Sequence, residues 1–295
     1  MLTGAENANN IWGAPPFKER KMCAKAVLPF KWKGAKSRLH PFLSVREREE
    51  LALCMLKDVL HALSLSDVEE AVVIVRGDAE QLRENVIEPS NLRLEFREDF
   101  GEMNEVLKGV VLGDVDETSD ETSSERSERE SRVLVMMSDL PLVRNVHIND
   151  VLRCDADIVI VPGRRGGTNA ISLRNPNAAS IFSFSCGISF LEHMKCAEKR
   201  GMSVCIYDSF FFSTDIDEVG DLIDLIVFGN GFASEYLRKI GVFISAEEHL
   251  HIARRPVACA VGEEDTKQMG KKHIAAPRCA TGSLRAGGSP SIGRP

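Results

Sequence analysis

The run Val133-Leu134-Val135-Met136-Met137, with Ser138-Asp139 directly behind it, constrains this chain more than any other feature. A strand with no polar face must be covered on both sides, which happens in parallel sheets sandwiched between helices. The flanking segments obey the same logic. Lys25 to Phe30, Ala71 to Val75, Leu92 to Phe96, Asp157 to Val161, Asn169 to Leu173 and Ser203 to Tyr207 read as short strands. Helical patterns alternate with them. Ser44-Val45-Arg46-Glu47 fits a capping box, and Leu51, Met55, Leu56, Val59, Leu60 and Leu63 recur at helical spacing until about Ser64. Further helices are expected over Glu102 to Leu112, 145–153, Ile188 to Arg200, Asp221 to Phe228 and Ala233 to Ile240. This alternation predicts an α/β fold with a mostly parallel sheet and helices on both faces.

Three segments fall outside the pattern, leaving one expected domain over 24–245. Residues 114–132 hold eight Asp/Glu, three Arg, five Ser and two Thr with one apolar residue. Burial cannot offset their ordering entropy, so an exposed, disordered acidic insertion is expected. Residues 1–21 are polar and contain Asn, Gly and Pro, which predicts a disordered leader over 1–23 and makes Met22 the expected true start. Residues 246–295 turn Arg-, Lys-, Gly- and Pro-rich after about residue 253 and are expected to form a disordered basic tail.

Composition narrows the partners. With 37 basic and 44 acidic residues the formal charge is −7, which disfavours nucleic acid as a ligand. The eight cysteines contain no Cys-x-x-Cys pair, the usage of a reduced compartment. No apolar run approaches the roughly 18 residues that a membrane span needs. A cytoplasmic protein without membrane contact is expected.

Ligands of open α/β sheets lie beyond the carboxyl ends of the strands. Three polar groups are expected there. The loop after the first strand, Lys31-Trp32-Lys33-Gly34-Ala35-Lys36-Ser37-Arg38, could hold a triphosphate through Lys31, Lys36 and Arg38, or be a solvated basic turn. Asp139, Asp215 and Asp217 form an acidic group. In extended backbone Asp215 and Asp217 point the same way while Ile216 faces the core, so convergence with Asp139 would suit Mg²⁺. Equally, Asp139 could start a turn before Pro141 and Asp217 could cap the next helix. The third group is Arg164-Arg165-Gly166-Gly167-Thr168-Asn169 with Cys186-Gly187-Ile188-Ser189 at a helix start. Paired glycines, a helix N-terminus and two hydroxyls can bind an anion, although a plain hairpin also uses paired glycines. His193 and Cys196 share a helix face but lack further ligands, so they read as packing or surface residues. Motifs for dinucleotide binding, P-loop hydrolysis and serine hydrolysis are missing.

In order and spacing from about residue 25 to 228, several segments resemble the 2-phospho-L-lactate guanylyltransferases of deazaflavin coenzyme F-420 biosynthesis. They are Leu28-Pro29-Phe30-Lys31 through Ala35-Lys36-Ser37-Arg38-Leu39, Ser138-Asp139-Leu140-Pro141-Leu142, Gly166-Gly167-Thr168-Asn169, Ser189-Phe190 with His193, and Asp215-Ile216-Asp217. The resemblance implies a single-domain nucleotide-diphospho-sugar-transferase-like fold, GTP as donor, a phosphorylated three-carbon acid as acceptor, and a homodimer. It implies Mg²⁺ on Asp139, Asp215 and Asp217, with Lys36, Arg38 and Asp139 catalytic. Lys31, Lys36, Arg38 and Asn104 would bind GTP, and Gly167, Thr168, Gly187 and Ser189 the acceptor. Two departures stand out: Cys186 occupies the place of the family's usual glycine, with Gly187 behind it, and Met103-Asn104 replaces a Leu-Asn pair. The alternatives are a nucleotidyltransferase with another acceptor or base, of molybdopterin or sugar-phosphate type, and an inactive nucleotide binder.

Overall fold

A computed structural model describes residues 22–113, 130–184, 188–246 and 249–255. The chain enters on β1 (Met22–Lys31), crosses α1 (Val45–Ser64) to β2 (Val68–Arg76), and passes α2 (Ala79–Asn85) to β3 (Arg93–Glu98). Then come α3 (Met103–Gly113), β4 (Glu130–Met136), α4 (Asn145–Arg153), β5 (Ile158–Pro162) and β6 (Thr168–Leu173). They are followed by α5 (Ser189–Lys199), β7 (Val204–Ile206), α6 (Phe210–Ser213), α7 (Asp221–Phe228) and α8 (Phe232–Lys239). A ribbon of β8 (Val242–Ser245) and β9 (His251–Arg254) comes last.

Seven strands make one sheet in the order β3-β2-β1-β4-β6-β5-β7. All neighbours run parallel except β6, which is antiparallel to both β4 and β5. The apolar run that anchors the sequence reading lies at the centre. Leu134 and Met136 pack into one core, Val133 and Val135 into the other, so both faces of β4 are covered. The first helix forms as its sequence dictates. Ser44 Oγ accepts the N–H of Glu47 while the Glu47 carboxylate accepts the N–H of Ser44, and Leu51, Leu56, Val59 and Leu63 have no exposed surface.

Several boundaries need correction. The expected insertion 114–132 ends in strand: Glu130, Ser131 and Arg132 belong to β4, because Arg132 is buried and its guanidinium donates to Ala156 O at 3.0 Å and to Cys154 O. The remainder of that insertion, 114–129, lies outside the described residues, as does the leader up to residue 21. The tail expected from 246 is also redrawn. His251–Arg254 pairs antiparallel with Val242–Ser245, and Arg254 Nη1 donates to Glu47 Oε2 at 3.1 Å. Four residues are too few to display a period, but one ion pair to a helix cap fixes them. Residues from 256 onward lie outside the described set. The short helices α2 and α6 escape the sequence reading for the same reason of length. Among the described residues, no helix is long and apolar enough to cross a membrane.

Candidate active site

The loop after β1 is held from beneath by the first turn of α1. Gly34 N–H donates to Glu49 Oε1 at 2.9 Å, and Arg48 Nη1 donates to Ala35 O at 3.1 Å. Trp32 and Ala35 are buried, while Lys33 and Gly34 between them and Ser37 and Arg38 further on are exposed. Lys36 adopts a left-handed backbone at φ 52°, an uncommon state for a residue with a Cβ and one that functional sites often hold. That conformation aims its ammonium across the strand ends. Nζ donates to Asp139 Oδ2 at 2.5 Å and to Asp217 Oδ1 at 2.7 Å, and Arg38 Nη1 adds a contact to Asp217 Oδ2 at 3.3 Å. Burial opposes the charge on Lys36, yet Asp139 and Asp217 outweigh it and raise its pKa.

The acids come together much as their placement suggests. Asp139 follows β4, and its carbonyl accepts the N–H of Ile216 at 3.2 Å, laying 215–217 alongside it. Ile216 is fully buried, while Asp215 and Asp217 stay half-buried on the other side. Burial, and then the charge of Asp139, push the Asp215 carboxyl above its ordinary pKa. One oxygen of each, Asp139 Oδ1 and Asp215 Oδ1, is buried without a hydrogen-bond partner. Among the described residues no group of three His, Cys, Asp or Glu side chains is placed to hold a metal ion in this arrangement. The Lys36 ammonium stands between Asp139 and Asp217 and takes one oxygen of each, Asp139 Oδ2 and Asp217 Oδ1. Asp217 does not cap the next helix: the N-cap of α7 is Gly220, without a side-chain cap bond, and Asp221 Oδ2 accepts the N–H groups of Asp217 and Glu218 at 2.9 and 2.7 Å.

A cavity of about 460 Å³ opens beside this cluster. Lys31, Lys36, Arg38, Asp139 and Asp217 line it on one side, and Ile74, Arg76, Asp99, Gly101, Met103 and Leu107 on the other. Arg76 and Asp99 escaped the sequence reading. Their signal was available: each stands at the carboxyl end of a strand, as Asp139 does. Asn104, expected at the nucleoside, lies outside this lining. Its Oδ1 accepts the N–H of Phe184 at 2.8 Å, tying the start of α3 to the segment before α5.

The glycine loop builds a second polar group. Gly166 is left-handed at φ +81°, and Gly163 N–H donates to Gly167 O at 2.8 Å, closing the turn into β6. Thr168 then presents its hydroxyl to the start of α5, where Ser189 Oγ lies 3.4 Å from Thr168 Oγ1. His193 completes the group rather than serving as an ordinary packing residue: Nδ1 is 2.9 Å from Thr168 Oγ1, and Nε2 accepts the N–H of Ser183 at 2.9 Å. Cys196 takes no part and is an unpaired thiol. Arg164 and Arg165 point away to α7, pairing with Asp224 at 2.5 Å and Asp221 at 2.7 Å. Gly187 lies outside the described residues.

This sheet order, with a cationic loop and carboxylates gathered at the strand ends, fits a nucleotidyltransferase, the class to which the chain's relatives belong. The chain belongs to the family described as "Guanylyl transferase CofC like", whose profile matches residues 24–258. It is 37% identical over 215 residues to the 2-phospho-L-lactate guanylyltransferase of Methanosarcina barkeri, covering 73% of this chain and 92% of that protein. To the 2-phospho-L-lactate guanylyltransferase of Methanoregula boonei it is 36% identical over 237 residues, covering 80% and 97%. In fold it is similar to a crystal structure described as a nucleotide-diphospho-sugar transferase from Desulfovibrio desulfuricans, with a TM-score of 0.59 at 18% identity, covering 75% of this chain and 95% of that one.

Proposed function

We propose that the chain transfers the guanylyl group of GTP to the phosphate of 2-phospho-L-lactate, or of a related phospho-acid such as phosphoenolpyruvate, releasing pyrophosphate, as a step of coenzyme F-420 biosynthesis. The observation that carries this reading is Lys36, bridging Asp139 and Asp217 at one wall of a cavity of nucleotide size, in a chain this similar to 2-phospho-L-lactate guanylyltransferases. A cytoplasmic homodimer is the state that the family resemblance implies.

The chemistry asks for charge management more than proton transfer. A phosphate monoester loses its second proton near pH 6, so at neutral pH the attacking oxygen is already anionic. It attacks the α-phosphorus of GTP, the bond to the β-phosphate oxygen breaks, and pyrophosphate carries away the negative charge. The protein must hold two polyanions in line and neutralise them. Lys36 and Arg38 would do so at the triphosphate, assisted by Lys31, while Thr168 and Ser189 would orient the acceptor. As triphosphate enters, Lys36 can exchange its carboxylate partners for phosphate oxygens, which frees Asp139 and Asp217.

Buried carboxylate oxygens without partners are the kind that a hard cation satisfies, and Asp139 Oδ1 and Asp215 Oδ1 answer that description. Mg²⁺ commonly takes one or two carboxylates together with substrate phosphates and water. Asp139 and Asp215 would therefore hold it, with Asp217 joining once Lys36 turns to the nucleotide. The ion would supply further charge neutralisation on the phosphates.

Pyrophosphate release tests the reading. GTP with Mg²⁺ and each of 2-phospho-L-lactate, phosphoenolpyruvate and phosphoglycerate is expected to give release with at least one acceptor. Silence with all three would remove the proposal, and equal use of CTP or UTP would move the chain to a different nucleotidyltransferase specificity.

A further inference from the structure

We propose that Asp99 reads the guanine base of the nucleotide, its carboxylate accepting the two N–H groups on the Watson–Crick edge; this rests on the guanylyl-transfer reading above. Three observations carry it. The first is polarity: of the three carboxylates lining the cavity, Asp139 and Asp217 are engaged by Lys36, and Asp99 alone stands at the other end. Beside Asp99 the wall holds Arg76, engaged with the turn at Phe100 and Gly101, and the apolar Ile74, Met103, Val106 and Leu107, a surface on which the faces of a purine can lie.

The second is spacing. Asp99 follows β3, Lys36 follows β1 and Asp139 follows β4, in a sheet whose order is β3-β2-β1-β4. At about 4.8 Å per strand, Asp99 stands roughly 10 Å from the basic loop, the order of the separation between a nucleotide's base edge and its phosphates. Asp99 N–H still donates to Val75 O at 3.1 Å, so its backbone is pinned to the end of β2.

The third is pre-organisation. Asp99 Oδ1 accepts the N–H of Gly101 at 2.7 Å, and no partner for Oδ2 is found among the described residues. Arg76 fixes the same turn from below, its Nη2 donating to Phe100 O at 3.3 Å and to Gly101 O at 2.7 Å. A Cβ at Gly101 would lie 2.9 Å from Val106 Cγ2 and 3.0 Å from Asp99 Oδ1, so the turn has no space for a larger residue. Guanine presents two adjacent donors, N1–H and the 2-amino group, which match a carboxylate. Adenine and cytosine each present a ring-nitrogen acceptor there and would face it with repulsion. Hypoxanthine keeps N1–H but lacks the amino group. Xanthine puts a carbonyl in its place and so matches an amide.

The test is calorimetric binding of GTP, ITP and XTP to the full chain without any acceptor. Wild type is expected to bind GTP at least about tenfold more tightly than ITP, the scale of one hydrogen bond to a charged group. Asp99→Asn is expected to reverse the order of GTP and XTP. A folded D99N that still prefers GTP to XTP, or wild type that binds GTP and ITP equally, overturns the proposal. If D99N does not fold, the GTP and ITP comparison on wild type decides. Guanine-selective binding without pyrophosphate release in the presence of acceptors would defeat the transfer reading and leave the Asp99 assignment standing.

Discussion

Thr168 and His193 are locked in a single proton arrangement. Nε2 of His193 accepts a backbone N–H from Ser183, so it carries no proton, and the ring's N–H must be at Nδ1, 2.9 Å from Thr168 Oγ1. Nδ1–H therefore donates to Thr168, whose own hydroxyl proton is left to point elsewhere. A donor with a fixed direction is what an acceptor phosphate or carboxylate requires.

The consequence is a split in kinetic constants. His193→Asn, whose amide nitrogen can stand near Nδ1, should keep the KM for 2-phospho-L-lactate within a few-fold of wild type. His193→Gln, which mimics Nε2 instead, should raise it about tenfold, with little change in the KM for GTP. Equal effects of the two variants on both substrates would reduce His193 to a packing role.

The same ring makes stability pH-dependent. Burial, opposed by Glu192, lowers the His193 pKa from 6.5 to about 4. The folded state then binds a proton less readily than the unfolded chain, so stability is full above pH 6.5 and declines as pH falls toward 4. The window is worth on the order of 3 kcal/mol for this one side chain. Denaturant unfolding at pH 7 and pH 4.5 should show a larger loss for wild type than for H193Q; parallel losses would place the acid sensitivity in other groups.

At the acidic cluster, Asp139→Asn and Asp215→Asn should each lower turnover by at least about a hundredfold, the scale of losing one electrostatic stabiliser. Lys36→Ala should impair use of GTP more than use of the acceptor. It also leaves Asp139 and Asp217 without their shared cation, so Mg²⁺ should raise the melting temperature of K36A more than that of wild type. A smaller rise in the variant would mean that Lys36 and the ion do not compete for the same oxygens.

Asp58 supports the fold at a distance from the chemistry. Its carboxylate accepts the N–H groups of Phe232 and Ala233 at 2.7 and 3.0 Å, capping α8 against α1. A Cβ at Gly231 would stand 2.1 Å from Asp58 Oδ1. Asp58→Ala should cost about 1 to 2 kcal/mol, the range for losing a helix cap. Because Gly231→Ala disrupts the same contact, the double variant should be little worse than the costlier single one; additive costs would separate the two.

The sheet was legible where the sequence carries long patterns. The 20-residue α1 and its capping box, the double-sided run of β4 and the alternation at 215–217 are each written in local residue choice. Topology was less legible: nothing in Asn169 to Leu173 declares that β6 runs antiparallel, because direction follows from the connections. At the site, residue types indicated the right neighbourhood, yet a sequence of charges does not specify which pairs neutralise one another. The bridge from Lys36 to both Asp139 and Asp217 is therefore visible only in the fold. His193 reads as a packing or surface residue because its two hydrogen-bond partners, Thr168 and Ser183, lie 25 and 10 positions away. Arg76 and Asp99 form no motif; their one signal is a place at the carboxyl end of a strand, and the strand order brings both to the cavity.

The ribbon at the far end of the described chain bears on the loop that carries Lys36. Arg254 grips Glu47, 207 positions earlier, and holds that carboxyl down to about pH 2. Glu47 opens the helical turn whose next two residues, Arg48 and Glu49, fasten Ala35 and Gly34. Arg254→Ala should therefore speed amide hydrogen exchange at Gly34 while leaving the middle of β1 unchanged. The late ribbon and the early loop are geared through one helical turn, so trimming the chain short of Arg254 would slacken the loop proposed to grip the triphosphate without removing any residue of that loop.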